Sequence, residues 1–280
     1  MIEASVGQWG DPSERLDRVL PTLGLARSRS QASELIAQGK VRVDGEVVTK
    51  AGFKIATGAM VSVDGADPYV SRAAQKLITG LDVFGVDPNG LLALDVGAST
   101  GGFTQVLLER SAREVLAIDV GHGQLADRIR EDIRVRAVEG CNARELTAES
   151  LAAATGVIDA PQLVVADLSF ISLELVLPAL LKVAAPEAEM VLLVKPQFEV
   201  GRLGVSGGIV TDPELAIAAV ARVILFAEQL GLTCRGVAMS PISGEHGNRE
   251  VLAHFARGGA AVPTEWEQRI RELFDSGGEA

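Results

Sequence analysis

Short apolar runs and stretches of helical periodicity alternate over residues 71–256 of the chain. Apolar runs bounded by turn residues predict buried strands, and their alternation with helices predicts βαβ units around a largely parallel sheet. The expected strands are Leu91–Val96, Val115–Asp119, Val135–Val138, Leu163–Asp167, Met190–Lys195, Cys234–Met239 and Glu250–Phe255. The expected helices begin near Arg72, Gly102, Gln124, Glu145, Leu173 and Pro213. The pattern therefore predicts an α/β domain with a seven-stranded sheet that closes in an antiparallel hairpin.

Residues 14–66 show a different pattern, which is typical of a small α+β module. Arg15–Leu20 begins a helix, and apolar residues recur at helical spacing again from Ser30 until Gly39. Lys40–Val48 then reads as a β-hairpin with an Asp-Gly pair at its tip. The chain is thus expected to contain two domains, one over residues 14–66 and one over residues 71–256.

Three shorter segments flank these domains. They are an N-terminal extension (residues 1–13), a linker (67–70) and a C-terminal linker with a final helix (257–280). Thr264 and Glu267 form a capping-box signature for that helix. Trp266, Ile270 and Phe274 share one of its faces, which predicts that the helix docks onto the core.

Composition narrows the class of protein. Apolar residues make up 48% and charged residues 22% of the 280 residues, which is typical of a globular protein rather than a disordered one. The N-terminus lacks the basic start and apolar core of a secretory signal, and Leu173–Val194 contains too many charges and prolines to span a membrane. Cys141 and Cys234 have neither disulfide-framework nor metal-site spacing. These features predict a cytoplasmic protein without a metal site.

The charge distribution bears on nucleic-acid binding. The net charge of −11 is unfavourable for general binding to nucleic acid. Residues 14–70 nevertheless carry a net charge of +1, whereas residues 71–280 carry −10. The cations of the small module either form a solvated surface or contact phosphates. Those with the spacing for RNA contact are Arg15, Arg18, Arg27, Arg29 and Lys40. Any RNA contact is therefore expected to be local and confined to the small module.

The segment Leu94–Phe103, reading LDVGASTGGF, joins an apolar strand to a helix start through a glycine-rich turn. Such a turn offers backbone N–H groups and a positive helix end to a ligand. A dinucleotide-binding loop has glycine where Ser99 stands here, whereas Asp95 followed by Gly-x-x-x-Gly suits S-adenosylmethionine, which has no phosphate. A glycine-rich turn without a ligand is the alternative. The predicted cofactor contacts in this segment are Asp95, Gly97, Ser99, Gly101, Gly102 and Phe103.

Four charged residues lie at element ends that this fold would bring together. Lys76 is in the first helix of the large domain, and Glu250 opens the last strand. Asp167 and Lys195 end apolar strands, as do Asp95 and Asp119. Because ligands bind at the carboxyl ends of the strands in an open α/β sheet, these four strand-end residues are expected to line one crevice. Because a lysine that ends a buried strand needs a partner, Lys195 is the strongest catalytic candidate. Lys76 and Glu250, taken alone, are equally compatible with a solvent-facing position.

Two absences bear on the atom that would be methylated. Amino-methyltransferases commonly carry Asp/Asn-Pro-Pro-Tyr/Phe after the fourth strand, whereas this chain reads Asp167-Leu-Ser-Phe. Methylation of a base at C5 needs a nucleophilic cysteine, and neither Cys141 nor Cys234 follows a proline. Both absences favour a ribose oxygen as the acceptor.

Two sets of motifs resemble known families. Residues 14–66 resemble the S4 RNA-binding domain, notably in the Val-x-Val-Asp-Gly hairpin that follows Gly39. From about residue 14 to 256 the chain resembles the TlyA family, whose members are often named haemolysins and join an S4 domain to an FtsJ/RrmJ-like 2′-O-ribose methyltransferase domain. The stretches that carry this resemblance are YVSR (69–72), DVGASTGGFT (95–104), DVGHGQL (119–125), ADLSFISL (166–173), LVKPQFEVGR (193–202), GIV (208–210), SP (240–241) and GN-x-E (247–250).

The resemblance implies a Rossmann-like class I methyltransferase fold with a catalytic tetrad of Lys76, Asp167, Lys195 and Glu250. It also implies S-adenosylmethionine as cofactor, with further contacts from Asp119, Asn142, Ala143 and Asp167. Ribosomal RNA or a ribosomal subunit is the implied partner, and 2′-O-methylation of cytidine in 16S rRNA, 23S rRNA or both is the implied reaction. Neither DNA nor a membrane is expected as a partner, and the oligomeric state is left open.

The expected chemistry is demanding for a lysine. A ribose 2′-hydroxyl is a poor nucleophile and must lose its proton as it attacks the methyl group. A lysine accepts that proton only when it is neutral, which the ordinary lysine pKa of about 10.4 opposes. The positive charges of Lys76 and of the cofactor favour a neutral Lys195, whereas Asp167 and Glu250 favour the charged form. The sequence therefore leaves open which lysine is the base.

Two other functions fit parts of the sequence. A non-catalytic RNA-binding or ribosome-assembly factor would keep both domains, but the intact tetrad argues against it. A membrane-active haemolysin fits the name of the family, but the sequence shows neither a membrane span nor a secretory signal.

Overall fold

The computed structural model of the protein describes residues 5–26, 28–64, 68–201, 204–244, 247–258 and 263–276. The chain divides into two compact units, Met1–Ser71 and Arg72–Ala280, and each has a hydrophobic core of its own. Residue 67 of the predicted linker and residues 259–262 of the predicted C-terminal linker lie outside the described residues.

The N-terminal unit combines two helices with a four-stranded antiparallel sheet. The strand order in that sheet is β1-β6-β3-β4, and β2 pairs separately with β5. Leu16, Ile36 and Val61 are fully buried in the core of the unit. The elements in chain order are β1 (Ser5–Gln8), β2 (Glu14–Arg15), α1 (Leu16–Thr22), α2 (Arg29–Ala37), β3 (Val41–Val43), β4 (Glu46–Val47), β5 (Lys54–Ile55) and β6 (Met60–Val63).

The hairpin predicted in this unit is confirmed. β3 and β4 are antiparallel neighbours, and the Asp44–Gly45 turn joins them. Asp44 and Gly45 both have positive φ values, 49° and 87°. Two consecutive left-handed residues match the twist of the flanking strands, and Asp-Gly is a favoured pair for this geometry. The turn fixes the register so that Val41 and Val43 are both buried in the core.

The N-terminal extension also takes part in this unit. β1 pairs with β6, and the Trp9 side chain is buried in the same core. The sequence pattern predicts no strand here, because Ser5–Gln8 holds a single large apolar residue, Val6, and that residue is exposed. The strand therefore depends on pairing with a distant segment rather than on its own periodicity.

The C-terminal unit contains a seven-stranded sheet with the strand order β12-β13-β11-β10-β7-β8-β9. α3 packs on one face, where Gly80 closely approaches Val191, and α7 and α9 share a core with Met190 and Leu192 of the same strand. The elements are α3 (Ala74–Phe84), β7 (Leu92–Val96), α4 (Gly102–Glu109), β8 (Glu114–Ile118), α5 (Asp127–Arg130), β9 (Val135–Val138), α6 (Ala148–Thr155), β10 (Leu163–Ala166), α7 (Leu173–Val183), β11 (Glu189–Val194), α8 (Pro196–Glu199), α9 (Pro213–Gln229), β12 (Leu232–Met239), β13 (Val251–Arg257) and α10 (Pro263–Ser276).

All seven strands predicted for this unit are confirmed, with bounds that differ by at most two residues. β13 is antiparallel to both of its neighbours, and the remaining pairs are parallel, which confirms the α/β fold class and the closing hairpin. The helix expected near Gln124 is one turn, α5, and the helix expected near Glu145 is a 3₁₀ turn followed by α6. The pattern does not predict α8, because its four residues are too few to show helical periodicity.

The final helix packs against α9, and its Ile270 and Phe274 are buried, which confirms the predicted docking. The side chains of Thr264 and Glu267, which were predicted to cap this helix, lie outside the described part of the structure. None of the helices in the described part of the chain is both long and apolar enough to cross a membrane.

The strand order determines where a ligand can bind. From β7 the sheet continues through β8 and β9 on one side and through β10 and β11 on the other. Ligands of open α/β sheets bind outside the carboxyl ends of the strands at such a reversal of strand order. Because β13 runs antiparallel to β11, the residue before β13 also lies at this edge of the sheet.

Candidate active site

The four charged residues expected at this edge form one chain of ion pairs. Lys195 Nζ lies 2.6 Å from Asp167 Oδ1, and Lys76 Nζ lies 3.4 Å from Asp167 Oδ2. Lys76 Nζ also donates to Glu250 Oε2 at 2.7 Å. The order is therefore Lys195, Asp167, Lys76, Glu250, with alternating charges and no net charge.

Burial makes this arrangement informative. Lys76, Lys195 and Glu250 are only 6%, 8% and 2% exposed. A buried charge is costly unless an opposite charge and hydrogen bonds compensate it, and every member of the chain has such a partner. Two buried ion pairs that share one aspartate are weak evidence for a stabilising role, because apolar residues of similar volume often give the same free energy of unfolding or a higher one. The cluster is therefore a candidate for chemistry.

Two polar neighbours complete the cluster. Lys195 Nζ also lies 2.8 Å from Ser169 Oγ, and Gln197 Nε2 donates to Glu250 Oε1 at 3.2 Å. Neither Ser169 nor Gln197 is among the residues predicted for the site. Each stands two positions after a predicted site residue, and this spacing is the one signal in the sequence that points to them.

An aromatic pair borders the cluster. The rings of Phe170 and Phe198 lie 5.1 Å apart, and Lys195 Nζ lies 5.9 Å from the centre of the Phe198 ring. Phe170 is 85% exposed and has a φ of 65°, a left-handed conformation that is rare for a bulky side chain. An exposed aromatic ring in a strained backbone beside a charged cluster is typical of a functional position. Neither phenylalanine is among the residues predicted for the site.

A cleft of about 620 Å³ opens between the ends of β7, β8 and β10, directly beside this cluster. Among the predicted cofactor contacts, six line it: Gly97, Ser99, Asp119, Asn142, Ala143 and Asp167. The lining residues that the prediction does not include are Val96, Ile118, Val120, Gln124, Cys141, Leu168, Ser169, Phe170, Ile171 and Val176. Because Asp167 belongs both to the cleft and to the ion-pair chain, a ligand in the cleft would reach the charged cluster.

Asp119 is held in place by backbone groups at the mouth of the cleft. Its Oδ2 accepts from Ser99 N at 2.8 Å and its Oδ1 accepts from Gly121 N at 2.7 Å. Ser99 has a φ of 47°, which turns its N–H towards the carboxylate, and its hydroxyl lies 3.1 Å from Gln124 Oε1. Each carboxylate oxygen keeps a second lone pair that can accept a hydrogen bond from a ligand hydroxyl.

The other predicted cofactor residues lie behind the cleft rather than in its lining. Asp95 is fully buried, and its Oδ2 accepts from Thr104 Oγ1 at 2.6 Å. Burial raises the pKa of Asp95 to about 7. Gly101, the N-cap of α4, has a φ of 96°, and a Cβ there would lie 2.8 Å from Leu125. Gly102 and Phe103, in the first turn of α4, are buried. These residues fix the path of the loop and the packing of α4.

In the N-terminal unit, two of the predicted RNA-binding cations share one buried partner. Arg15 donates to both carboxylate oxygens of Asp17, at 2.9 and 3.0 Å, and Arg29 Nε donates to Asp17 Oδ2 at 2.8 Å. The guanidinium groups remain half-exposed, so Asp17 orients them at the surface. Arg18 makes a long ion pair of 3.5 Å with Glu14, Lys40 is exposed, and Arg27 lies outside the described residues.

We expect Asp17 to make the N-terminal unit sensitive to acid. Hydrogen bonds from Arg15 and Arg29 lower the pKa of Asp17 to about 2, from an ordinary value near 4 in the unfolded chain. The resulting stabilisation is complete above about pH 4 and is lost as the pH falls through 2. Because the arginines are half-exposed and screened by water, we expect it to be about 1 kcal/mol.

Urea unfolding of full-length protein at pH 5 and pH 2.5 tests this expectation. The fluorescence of Trp9 in a Trp266→Phe background reports on the N-terminal unit alone, because these two are the only tryptophans of the chain. The loss of stability on acidification should be smaller in Asp17→Asn than in the parent. An equal loss in both proteins would show that Asp17 does not carry the pH dependence.

Comparison with known proteins defines the class. The sequence profile described as FtsJ-like methyltransferase matches residues 69–257, which is most of the C-terminal unit, and the S4 domain profile matches residues 14–61. The chain belongs to the FtsJ-like methyltransferase family and carries an S4 domain in front of the methyltransferase domain.

Individual relatives narrow this class. Over 239 residues the chain is 49% identical to the 16S/23S rRNA (cytidine-2′-O)-methyltransferase TlyA of Mycobacterium tuberculosis, a match that covers 84% of this chain and 87% of that protein. It is 38% identical over 242 residues to Hemolysin A of Brachyspira hyodysenteriae, covering 86% of this chain and 99% of that protein. The solved structure of a hemolysin-named protein from Streptococcus thermophilus matches with a TM-score of 0.72 and 37% identity, covering 96% of this chain and 99% of that one. Within the FtsJ-like methyltransferases, the chain belongs to the TlyA family.

Proposed function

We propose that this protein transfers a methyl group from S-adenosylmethionine to the 2′-hydroxyl of a cytidine in ribosomal RNA. The observation that carries the proposal is the buried chain Lys195–Asp167–Lys76–Glu250 at the wall of a ligand-sized cleft. We assign methyl transfer to residues 71–256 and RNA anchoring to residues 14–66, with residues 1–13, 67–70 and 257–280 as flanking segments.

The cleft suits S-adenosylmethionine. Asp119 offers carboxylate oxygens to the ribose hydroxyls, and Asn142 and Ala143 flank a place for the adenine beside the apolar Ile118 and Val120. The Asp95–Phe103 loop supplies the turn below the amino-acid end, and a side chain at Gly97 would clash with the backbone oxygen of Asp167, another lining residue of the cleft. When bound, the cofactor supplies an electrophilic methyl group on a cationic sulfur.

We assign to Lys195 the role of accepting the proton of the 2′-hydroxyl. A neutral Nζ at this position accepts that proton as the oxygen attacks the methyl group. Asp167 and Ser169 hold the Nζ in place, at 2.6 and 2.8 Å. Lys76 and Glu250 orient Asp167 from the other side, so that the carboxylate keeps its position when Lys195 changes its protonation state. The protein thus supplies a positioned acceptor and a balanced charge environment.

The exposed aromatic and cationic side chains are the candidates for contact with RNA. A ribose in a base-paired stack is difficult to reach, and sequence-specific RNA binding usually engages unstacked bases with aromatic side chains. Phe170, exposed at the cleft beside Lys195, is our candidate for such a contact. Arg15 and Arg29 on Asp17, with Arg18, Arg27 and Lys40, are the candidates for phosphate contact. Because the substrate is ribosomal, we place the activity in the cytoplasm.

The proposal is tested with ribosomal subunits from cells that lack this enzyme. Incubation with methyl-labelled S-adenosylmethionine should yield labelled 2′-O-methylcytidine, mapped by mass spectrometry, in 16S rRNA, 23S rRNA or both. Asp167→Asn should abolish labelling because it breaks the ion-pair chain. Asp159→Asn should not, because this aspartate pairs with Arg113 at the surface.

Each alternative gives a different outcome. RNA binding without any label would identify a non-catalytic assembly factor, and label on a base would refute ribose chemistry. Leakage of dye from liposomes on addition of purified protein, with no methylation, would identify a membrane-active protein.

A further inference from the structure

α8 lies against the segment that connects β10 to α7, and successive residues of α8 contact successive residues of that segment. Lys195, the N-cap of α8, contacts Asp167 and Ser169. One turn later the Phe198 ring contacts Phe170. Residues spaced by three and four positions share one face of a helix, so the next residue on this face is Glu199.

Glu199 is buried and makes hydrogen bonds to the start of α7. It is 5% exposed, its Oε2 accepts from Ser172 Oγ at 2.6 Å, and its Oε1 accepts from Leu173 N at 2.9 Å. Leu173 N belongs to the first turn of α7, where backbone N–H groups have no partner within the helix. Burial raises the pKa of Glu199, while the bonds from Ser172 and Leu173 oppose this rise. Glu199 does not line the cleft and is not a member of the ion-pair chain, so neither of these features explains why it is buried.

The backbone of α8 couples Glu199 to Lys195. Phe198 N donates to Lys195 O at 2.9 Å, and Val200 N donates to Pro196 O at 3.0 Å. Pro196 at the first helical position fixes the backbone directly after Lys195. The backbone oxygen of Glu199 accepts from Arg222 of α9. A shift of Glu199 relative to α7 is therefore transmitted along one rigid turn to the lysine.

We propose that Glu199 is a positioning residue, which sets the place of Lys195 relative to Asp167 by fastening α8 to the N-terminus of α7. This inference rests on the role of Lys195 given under the proposed function. Asp167 precedes the anchored start of α7 by only a few residues, so Glu199 fixes both halves of the Lys195–Asp167 pair. A carboxylate suits this role because its two oxygens accept from a hydroxyl and a backbone N–H at once.

Kinetics of full-length variants test the proposal. Glu199→Ala should lower kcat roughly tenfold to a hundredfold, because a displacement of about 1 Å at the reacting groups has such an effect. KM for the ribosomal substrate and Kd for S-adenosylmethionine should stay within about twofold of the parent values, since Glu199 contacts neither site. Glu199→Gln should recover much of kcat, because its amide oxygen can accept from Leu173 N. Glu187→Ala is the control: it removes an exposed glutamate from the turn between α7 and β11, away from α8, and should leave kcat unchanged.

A second measurement does not depend on turnover. The rate at which an amine-selective reagent modifies Lys195, followed by mass spectrometry, should rise in Glu199→Ala and stay near the parent value in Glu199→Gln. An unchanged rate and an unchanged kcat would overturn the proposal. A parallel loss of melting temperature, kcat and cofactor binding in both variants would overturn it too, since Glu199 would then be purely structural. If the parent protein shows no methyl transfer, the proposed function fails, and the modification rate still decides the role of Glu199.

Discussion

Replacement of Lys195 by alanine will lower the turnover number for methyl transfer by roughly 10²- to 10⁴-fold, the usual range for a lost acid–base group. Lys195 directly follows the buried strand β11 and lies 2.6 Å from Asp167, which itself lines the cleft. Cofactor affinity, measured by calorimetry, and binding to ribosomal subunits should change little, because the lysine is absent from the lining of the cofactor cleft. Single-turnover assays on ribosomal subunits provide the rate of the chemical step.

The arginine variant distinguishes proton transfer from positive charge. Lys195→Arg keeps the charge, but a guanidinium does not give up its proton near neutral pH, so this variant should be inactive as well. Lys182→Ala provides the matched control, because this lysine is exposed in the last turn of α7. An active arginine variant would show that Lys195 acts by charge and position alone, and the base would then be another group.

Replacement of Gly97 by valine will abolish binding of S-adenosylmethionine. Gly97 has a φ of 82°, and a Cβ at this position would lie 2.9 Å from the backbone oxygen of Asp167. The variant therefore combines a strained backbone with a clash against the segment that forms the opposite wall of the cleft. Calorimetry should detect no cofactor binding, while the circular dichroism of the folded protein should persist.

A second glycine separates these two effects. Gly90 also has a positive φ, 74°, but a Cβ there meets no atom within 4 Å. Gly90→Val therefore introduces comparable strain without a clash, and it lies outside the cleft. It should bind the cofactor with the affinity of the parent. Full affinity in Gly97→Val would refute the assignment of the cofactor loop.

The meeting of Asp167 and Lys195 could be predicted because it depends on topology, whereas Lys76 and Glu250 were predicted only through the family resemblance. Parallel strands present their carboxyl ends at one edge, so an aspartate and a lysine that end two apolar runs come together whatever the loops between them do. The roles within the Asp95–Phe103 loop could not be predicted in the same way. Gly97 and Gly101 both have positive φ values, yet one lines the cleft and the other makes room for α5. The motif contains both kinds of position, and only the packing distinguishes them.

Other features escape the sequence pattern because distant partners create them. β1 has no periodicity of its own and forms through pairing with β6. Phenylalanine rarely adopts the left-handed conformation that Phe170 has, so the residue type does not predict this conformation. Glu199 looks like an ordinary surface glutamate in the sequence, and its burial depends on the start of α7.

The bond between Lys76 and Glu250 joins residues 174 positions apart in the chain. The cofactor cleft draws its lining from residues 96–176, so all of its lining residues precede β11 and the final hairpin in the chain. The tetrad, in contrast, requires the segment before β13, and a contact of such sequence separation costs loop-closure entropy. The two parts of the site therefore depend on different lengths of the chain: the lining of the cleft is complete by residue 176, whereas the tetrad is complete only when the segment before β13 has joined the sheet.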